Sequence, residues 1–205
     1  MPTRRFGRLR FHVGGLALGV ALAFLAGCAT ASGISDLANE YYNLGQQFDD
    51  QKDQTRAAEY YQKALGLNPA LRMARFNLAR IKLKLGEYDK AAEFLGTLAL
   101  QDPANLSVQE LLAFMDASQG KYESAWGKYL AIISRTEGRV SVLYNLALLS
   151  RELGQEKKAL PWVRVLVDLR PSEPAYWREA GLVAIGAGDT CLLYTSPSPR
   201  DRGNH

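Results

Sequence analysis

The feature that most constrains this chain is a register of 34 residues. Glycines stand at 86, 120, 154 and 188, alanines at 57, 91, 125 and 159, and leucines at 44, 78, 112 and 146. Small residues keep the same spacing at Gly45, Ala79, Ala113, Ala147 and Gly181. Prolines recur at 69, 103 and 171, with Glu137 where another proline falls due. A fixed period of this size points to stacked supersecondary units, each unable to bury its apolar face alone.

Within each period the apolar residues recur at three- and four-residue spacing, which predicts two amphipathic helices. In one period the first helix carries Phe76, Leu78, Ala79, Ile81, Leu83 and Leu85. The second carries Ala91, Ala92, Phe94, Leu95 and Leu98. Gly86 suits the left-handed conformation that stops a helix, and Pro103 forbids the second helix from continuing. At Glu137 the proline is missing, and Gly138 is expected to end the helix instead. Pro161 is expected in a first turn, where its absent amide is not missed. Ser35 or Asp36 is the expected cap of the first helix.

The residues Tyr41, Leu44, Gly45, Phe48, Ala57, Tyr61, Ala64 and Pro69 fill nearly every signature position of one period. On this pattern the chain resembles the tetratricopeptide repeat family. Full repeats fall at 38–71, 72–105, 106–139 and 140–173, and a partial one runs over 174–190 with Trp177 and Gly181 in place. The resemblance implies an all-α fold, a right-handed superhelical solenoid of helix-turn-helix pairs. It also implies a concave groove lined by the first helix of each pair, at the second, fifth, ninth, twelfth and thirteenth positions. Those positions include Tyr42, Phe76, Phe114 and Tyr144 as rigid anchors. Arg80, Lys84, Arg151 and Arg178 are candidates to hold acidic or carboxyl groups. Such a groove suits an extended peptide or a partner helix. Asn77 and Asn145 match one position of the family's carboxylate clamp, but its fifth-position lysines are absent, so a clamp of that kind is not expected.

Both ends read differently from residues 36–190. Residues 1–27 carry Arg4, Arg5, Arg8 and Arg10 and no acid, followed by an apolar run from Val13 to Leu25. The run is too short to span a bilayer as a helix, and a basic stretch before an apolar one is the pattern of an export signal. It ends in Leu25-Ala26-Gly27-Cys28, which resembles a bacterial lipobox and implies lipidation at Cys28, with residues 28–35 a short linker. Ala29 is not the aspartate that retains such proteins in the inner membrane. The expected place is therefore the outer membrane, facing the periplasm. From Cys191 the peptide Cys-Leu-Leu-Tyr-Thr-Ser-Pro-Ser-Pro-Arg-Asp matches the translation of a string resembling the adapter of transposase-based sequencing libraries. Residues 191–205 are accordingly set apart as a non-biological tail, which implies a reading frame cut short in mid-repeat.

With both ends removed, residues 28–190 hold 19 Lys and Arg against 20 Asp and Glu. The net charge of −1 leaves no basic footprint for nucleic acid. Neither histidine, His12 or His205, lies in that stretch, and its one cysteine is Cys28. There is thus no histidine for base chemistry or metal binding, and no disulfide can form within it. The glycines lie at repeat turns and form no phosphate loop. Asp49 and Asp50 fall at a helix end. The expectation is no catalytic residue, no metal and no cofactor. The expected function is a membrane-anchored scaffold that binds other proteins in assembly of a cell-envelope complex. The alternatives are a docking subunit for a periplasmic enzyme, or the front part of an enzyme whose catalytic domain follows residue 190.

Overall fold

The computed structural model describes residues 33–136 and 138–189. Among them it is all-α. The helices are α1 (33–50), α2 (Gln54–Leu67), α3 (Arg72–Lys84), α4 (Tyr88–Gln101), α5 (Leu106–Ser118), α6 (Tyr122–Ile133), α7 (Val140–Glu152), α8 (Glu156–Leu169) and α9 (Pro174–Ala187). They pair as the 34-residue register requires, with α9 opening a fifth pair. The export signal, Cys28, the start of the linker, Glu137 and the tail from 191 lie outside the described residues.

The described residues fall into two compact units divided between Ala74 and Arg75. In the first, α1 and α2 bury Ala38, Ala57, Ala58, Tyr61 and Ala64. Gly45 is there for space. A Cβ at that position would stand 2.7 Å from the Tyr61 ring, closer than carbon atoms approach. Tyr42 packs on Tyr61 at 5.7 Å between centroids, and Phe48 stacks on Tyr60 at 5.2 Å. Arg56 lies over the Phe48 ring at 4.4 Å, a cation–π contact.

The second unit builds its interior from consecutive helices, as a stack of neighbours should. One cluster joins Ala79, Leu83, Ala91, Leu95, Leu98 and Val108. The next joins Ala113, Ala125, Trp126, Tyr129, Ile132, Val142, Leu146 and Leu149. A third joins Ala147 and Ala159 to Val183 and Ala184. Every alanine of the register in this unit (79, 91, 113, 125, 147 and 159) is fully buried, which lets paired backbones approach closely. Asp116, buried on α5, binds Ser124 at 2.6 Å and pairs with Lys128. Burial works to raise this carboxyl, but those hydrogen bonds and the charges of Lys128 and Lys121 outweigh it and hold it below the usual range.

The turn inside each pair is the same hydrogen-bonded cap five times over. The amides of Asp53, Glu87, Lys121, Gln155 and Asp189 donate to the carbonyls of Phe48, Lys82, Asp116, Ser150 and Ala184 at 2.7–2.9 Å. One residue before each donor the backbone is left-handed, at Gly86 as predicted and likewise at Gly120, Gly154 and Gly188. In the first pair that place is held by Lys52, at φ 64°.

Three local expectations change. Residue 33 is already helical, so Ser35 and Asp36 lie inside α1 and neither caps it; residues 33–35 of the expected linker belong to the helix. Gly138 does take a left-handed conformation, but α6 has already ended at Ile133. The amides of Ser134 and Thr136 close that end on the carbonyls of Leu130 and Ile132, so Gly138 redirects the link instead of stopping the helix. Pro161 lies beyond the first turn of α8 and the helix runs through it. The carbonyl it leaves without a helical partner belongs to Lys157. Both residues are exposed, so that group lies on the solvent side of the helix.

Candidate functional site

The first helices of successive pairs carry the positions predicted to face a partner, and in the second unit three of them, α3, α5 and α7, line a cavity of about 200 Å³ together with α6. Its walls are Leu83 from α3, Leu111 and Phe114 from α5, and Tyr129 from α6. Arg80 and Lys84 from α3, Glu110 from α5 and Asn145 from α7 also line it, and the surface they present there is almost wholly apolar. Arg80 and Lys84 are four residues apart on one helix and share a face. Phe114 keeps 38% of its surface exposed.

The carboxylate beside the cavity has its own counter-ion. Glu110 accepts a hydrogen bond from Arg139 at 2.6 Å, and the same guanidinium donates to Ser107 at 3.3 Å. The acid is therefore neutralised from within the chain. In the wall, Tyr129 is fully buried, and its hydroxyl has no hydrogen-bond partner. Burial, and after it the Glu110 charge, push this phenol above its usual range, so it stays a neutral donor.

The predicted residues do not all converge here. Arg80 and Phe114 line the cavity. Phe76 packs, partly buried, against the cluster around Leu83 and Leu95. Tyr144 faces Tyr176 at 5.2 Å between ring centroids. Arg151 pairs with Glu179 at 3.2 Å, and Glu179 is only 3% exposed. Arg178 is exposed on α9. Tyr42 belongs to the first unit and packs on Tyr61.

Sequence reasoning missed Leu111 and Tyr129 as wall residues and Arg139 as the counter-ion of Glu110. Tyr129 occupies the same register position as Tyr61, which marks it as interior. Nothing in the period says that its hydroxyl lacks a partner. Among the described residues no group of three or more His, Cys, Asp or Glu is placed to hold a metal ion. No helix among them is long and apolar enough to cross a membrane.

Helix pairs stacked in a 34-residue register, with first-helix residues framing a cleft, define a helical-repeat protein of the kind that binds other proteins. The tetratricopeptide repeat profile matches residues 50–113. An uncharacterized protein of Methanocaldococcus jannaschii, MJ0572, is 40% identical over 65 residues, which are 31% of this chain and 76% of that protein. The chain belongs to the tetratricopeptide repeat family.

Solved structures share the fold. MamA 41-end from Desulfovibrio magneticus RS-1 superposes with a TM-score of 0.65 at 18% identity, covering 78% of this chain and 90% of that one. TTC0263, a thermophilic tetratricopeptide protein of Thermus thermophilus, gives 0.61 at 20% identity over 80% and 94%. A tetratricopeptide repeat protein from Parabacteroides merdae gives 0.64 at 17% identity over 82% and 68%. At such identities the likeness concerns the fold alone.

Proposed function

We propose that this protein is a lipid-anchored scaffold whose repeats hold partner proteins during assembly of a cell-envelope complex. The observation that carries the binding half of this reading is the cleft on α3, α5, α6 and α7. There an apolar wall and a half-exposed Phe114 lie together on a scaffold fold. The anchoring half rests on the sequence Leu25-Ala26-Gly27-Cys28 after a basic and apolar leader. Cys28 precedes residue 33 by five residues, at most about 18 Å of extended chain. An acylated Cys28 would therefore keep α1 close to the bilayer, on the periplasmic side of the outer membrane. The role is organising, and no residue is assigned to catalysis.

The test takes both halves together in native cells. Cys28→Ala is expected to move the protein from the membrane fraction to the soluble one and to abolish labelling by a radioactive fatty acid. A photo-crosslinking residue at Phe114 is expected to capture an envelope protein, while one at Glu93, exposed on α4, captures none. Unchanged membrane association of Cys28→Ala would remove the anchor from the proposal. Crosslinks equal at the two positions, or none at either, would remove the scaffold role.

A further inference from the structure

The first repeat begins at residue 38, yet α1 is already helical at residue 33. The extra turn carries two large apolar side chains, Ile34 and Leu37, which are 49% and 41% exposed. They stand three residues apart and so share a face of the helix. Ala38 and Gly45 continue that face and are buried, Gly45 against the Tyr61 ring of α2. The face that packs on α2 thus runs on past it and ends in an uncovered apolar row. The opposite side of the same turns carries Asp36 and Glu40, both exposed. The start of α1 is therefore amphipathic. It is also without cations, since no lysine or arginine stands between Cys28 and Gln51.

The position of Cys28 says what covers this row. It precedes Ile34 by six residues, at most about 22 Å of extended chain. Acyl chains on Cys28 would hold the row beside the bilayer, where a contact too weak to form from solution gains from high local concentration. Apolar residues backed by acids, with no cation, fit the layer below the headgroups and not an anionic lipid surface.

We propose that the first turn of α1 is a membrane-contact surface, which seats Ile34 and Leu37 in the boundary between headgroups and acyl chains. The proposal rests on the reading of Cys28 as acylated and adds how the anchored chain meets the bilayer. Asp36 and Glu40 stay in water, so α1 is held at a fixed rotation and does not swing on its linker.

The test uses the lipidated chain, purified from the membrane fraction and reconstituted into vesicles of phosphatidylcholine brominated near the top of its acyl chains. Bromine quenches a tryptophan that enters this layer. Leu37→Trp places one on the proposed face and Glu40→Trp on the opposite face. Subtracting the emission of the unsubstituted chain, from Trp126, Trp162 and Trp177, isolates the added residue. Emission of the tryptophan at 37 is expected to fall at least about twofold against unbrominated vesicles, and that at 40 to change little. Ile34→Ser on the Leu37→Trp background should remove at least about half of the quenching. Mixing in phosphatidylglycerol should leave the quenching unchanged or lower it, because the nearby charges are acids. Circular dichroism melts show whether each variant folds. If Leu37→Trp does not, Ile34→Trp replaces it, with Leu37→Ser as its second substitution.

Equal quenching at the two positions overturns the proposal, since the helix would have no preferred face. Quenching that rises with phosphatidylglycerol overturns its apolar basis. No quenching at 37, in a chain that floats with the vesicles, overturns the proposal and leaves the anchor standing. A dimer in detergent that Ile34→Ser splits, again without quenching at 37, gives the row to a second copy and also overturns it. A chain that takes up no fatty acid at Cys28 removes the anchor, and the proposal fails with it.

Discussion

Two stretches of the second unit use the same register positions to opposite ends. Around α3 and α5, the residues Arg80, Glu110, Leu111 and Phe114 frame an open cavity. One period later the counterparts of Glu110 and Leu111 are Tyr144 and Asn145, and two periods later they are Arg178 and Glu179. There Tyr144 and Glu179 meet other side chains, while Asn145 still lines the cavity and Arg178 stays exposed. Tyr144 packs on Tyr176, and Arg151 meets Glu179, which is almost wholly buried. The backbone repeat is the same, so the difference comes from side-chain volume and charge at a few positions. A solenoid can thus confine binding to one segment and spend equivalent residues elsewhere on its own cohesion.

The largest expected effect tests the closed stretch. Arg151→Ala strands Glu179 as a buried carboxylate without its cation. Breaking a fully buried pair costs about 3–5 kcal/mol. Because Arg151 is 40% exposed and water enters beside it, the expected loss is about 2 kcal/mol, read as a lower urea midpoint with an unchanged slope. Capture of a partner by the crosslinking residue at Phe114 should not change. Unchanged stability with weakened capture would make Arg151 part of the binding surface, and the contrast between the two stretches would collapse.

A smaller effect of opposite sign is expected in the open stretch. The Tyr129 hydroxyl is buried without a partner, and leaving such a donor unmet costs about 1–3 kcal/mol. Tyr129→Phe removes the hydroxyl and keeps the ring, so the chain should become about 1 kcal/mol more stable. A loss of stability would mean that the hydroxyl is satisfied in solution and that the wall is wetter than it looks.

The sequence disclosed the fold more fully than the site. Helix pairing, the buried alanines and the left-handed turns at Gly86, Gly120, Gly154 and Gly188 all follow from the 34-residue register, because each depends on one residue's size or backbone freedom. Arg80 and Phe114 were legible for the same reason, since a family position predicts which face a residue takes. Position alone does not say what a side chain meets across that face. Arg151 and Tyr144 share predicted groove positions, yet both are taken up by α9, through Glu179 and Tyr176. The cavity, conversely, needs the volumes of Leu83, Leu111 and Tyr129 on three helices at once, which no period records. Pro161 and the end of α6 depart from the register through local exceptions, a proline on an exposed face of α8 and a link closed by Ser134 and Thr136.

Lys52 shows the register predicting a residue that the chain does not use. It occupies the place held by glycine in the four later turns and is the one non-glycine among the described residues with positive φ. A side chain in this conformation costs about 1–2 kcal/mol. The turn nevertheless forms, and its next residue supplies what the later turns lack. The Asp53 carboxylate caps α2 by accepting from the Arg56 amide at 3.0 Å, whereas Glu87, Lys121 and Gln155 make no side-chain cap bond. Hydrogen bonds from the Arg56 backbone and side chain hold the Asp53 carboxyl below its usual range, so the cap persists at neutral pH and is lost as pH falls through that lowered value. Lys52→Gly should relieve the strain but adds freedom to the unfolded chain, worth about 0.5–1 kcal/mol in the other direction. The expected net gain is therefore about 0.5 kcal/mol, measurable as a small rise in the urea midpoint. A loss of stability instead would show that the Lys52 side chain contributes more to this turn than its backbone conformation costs.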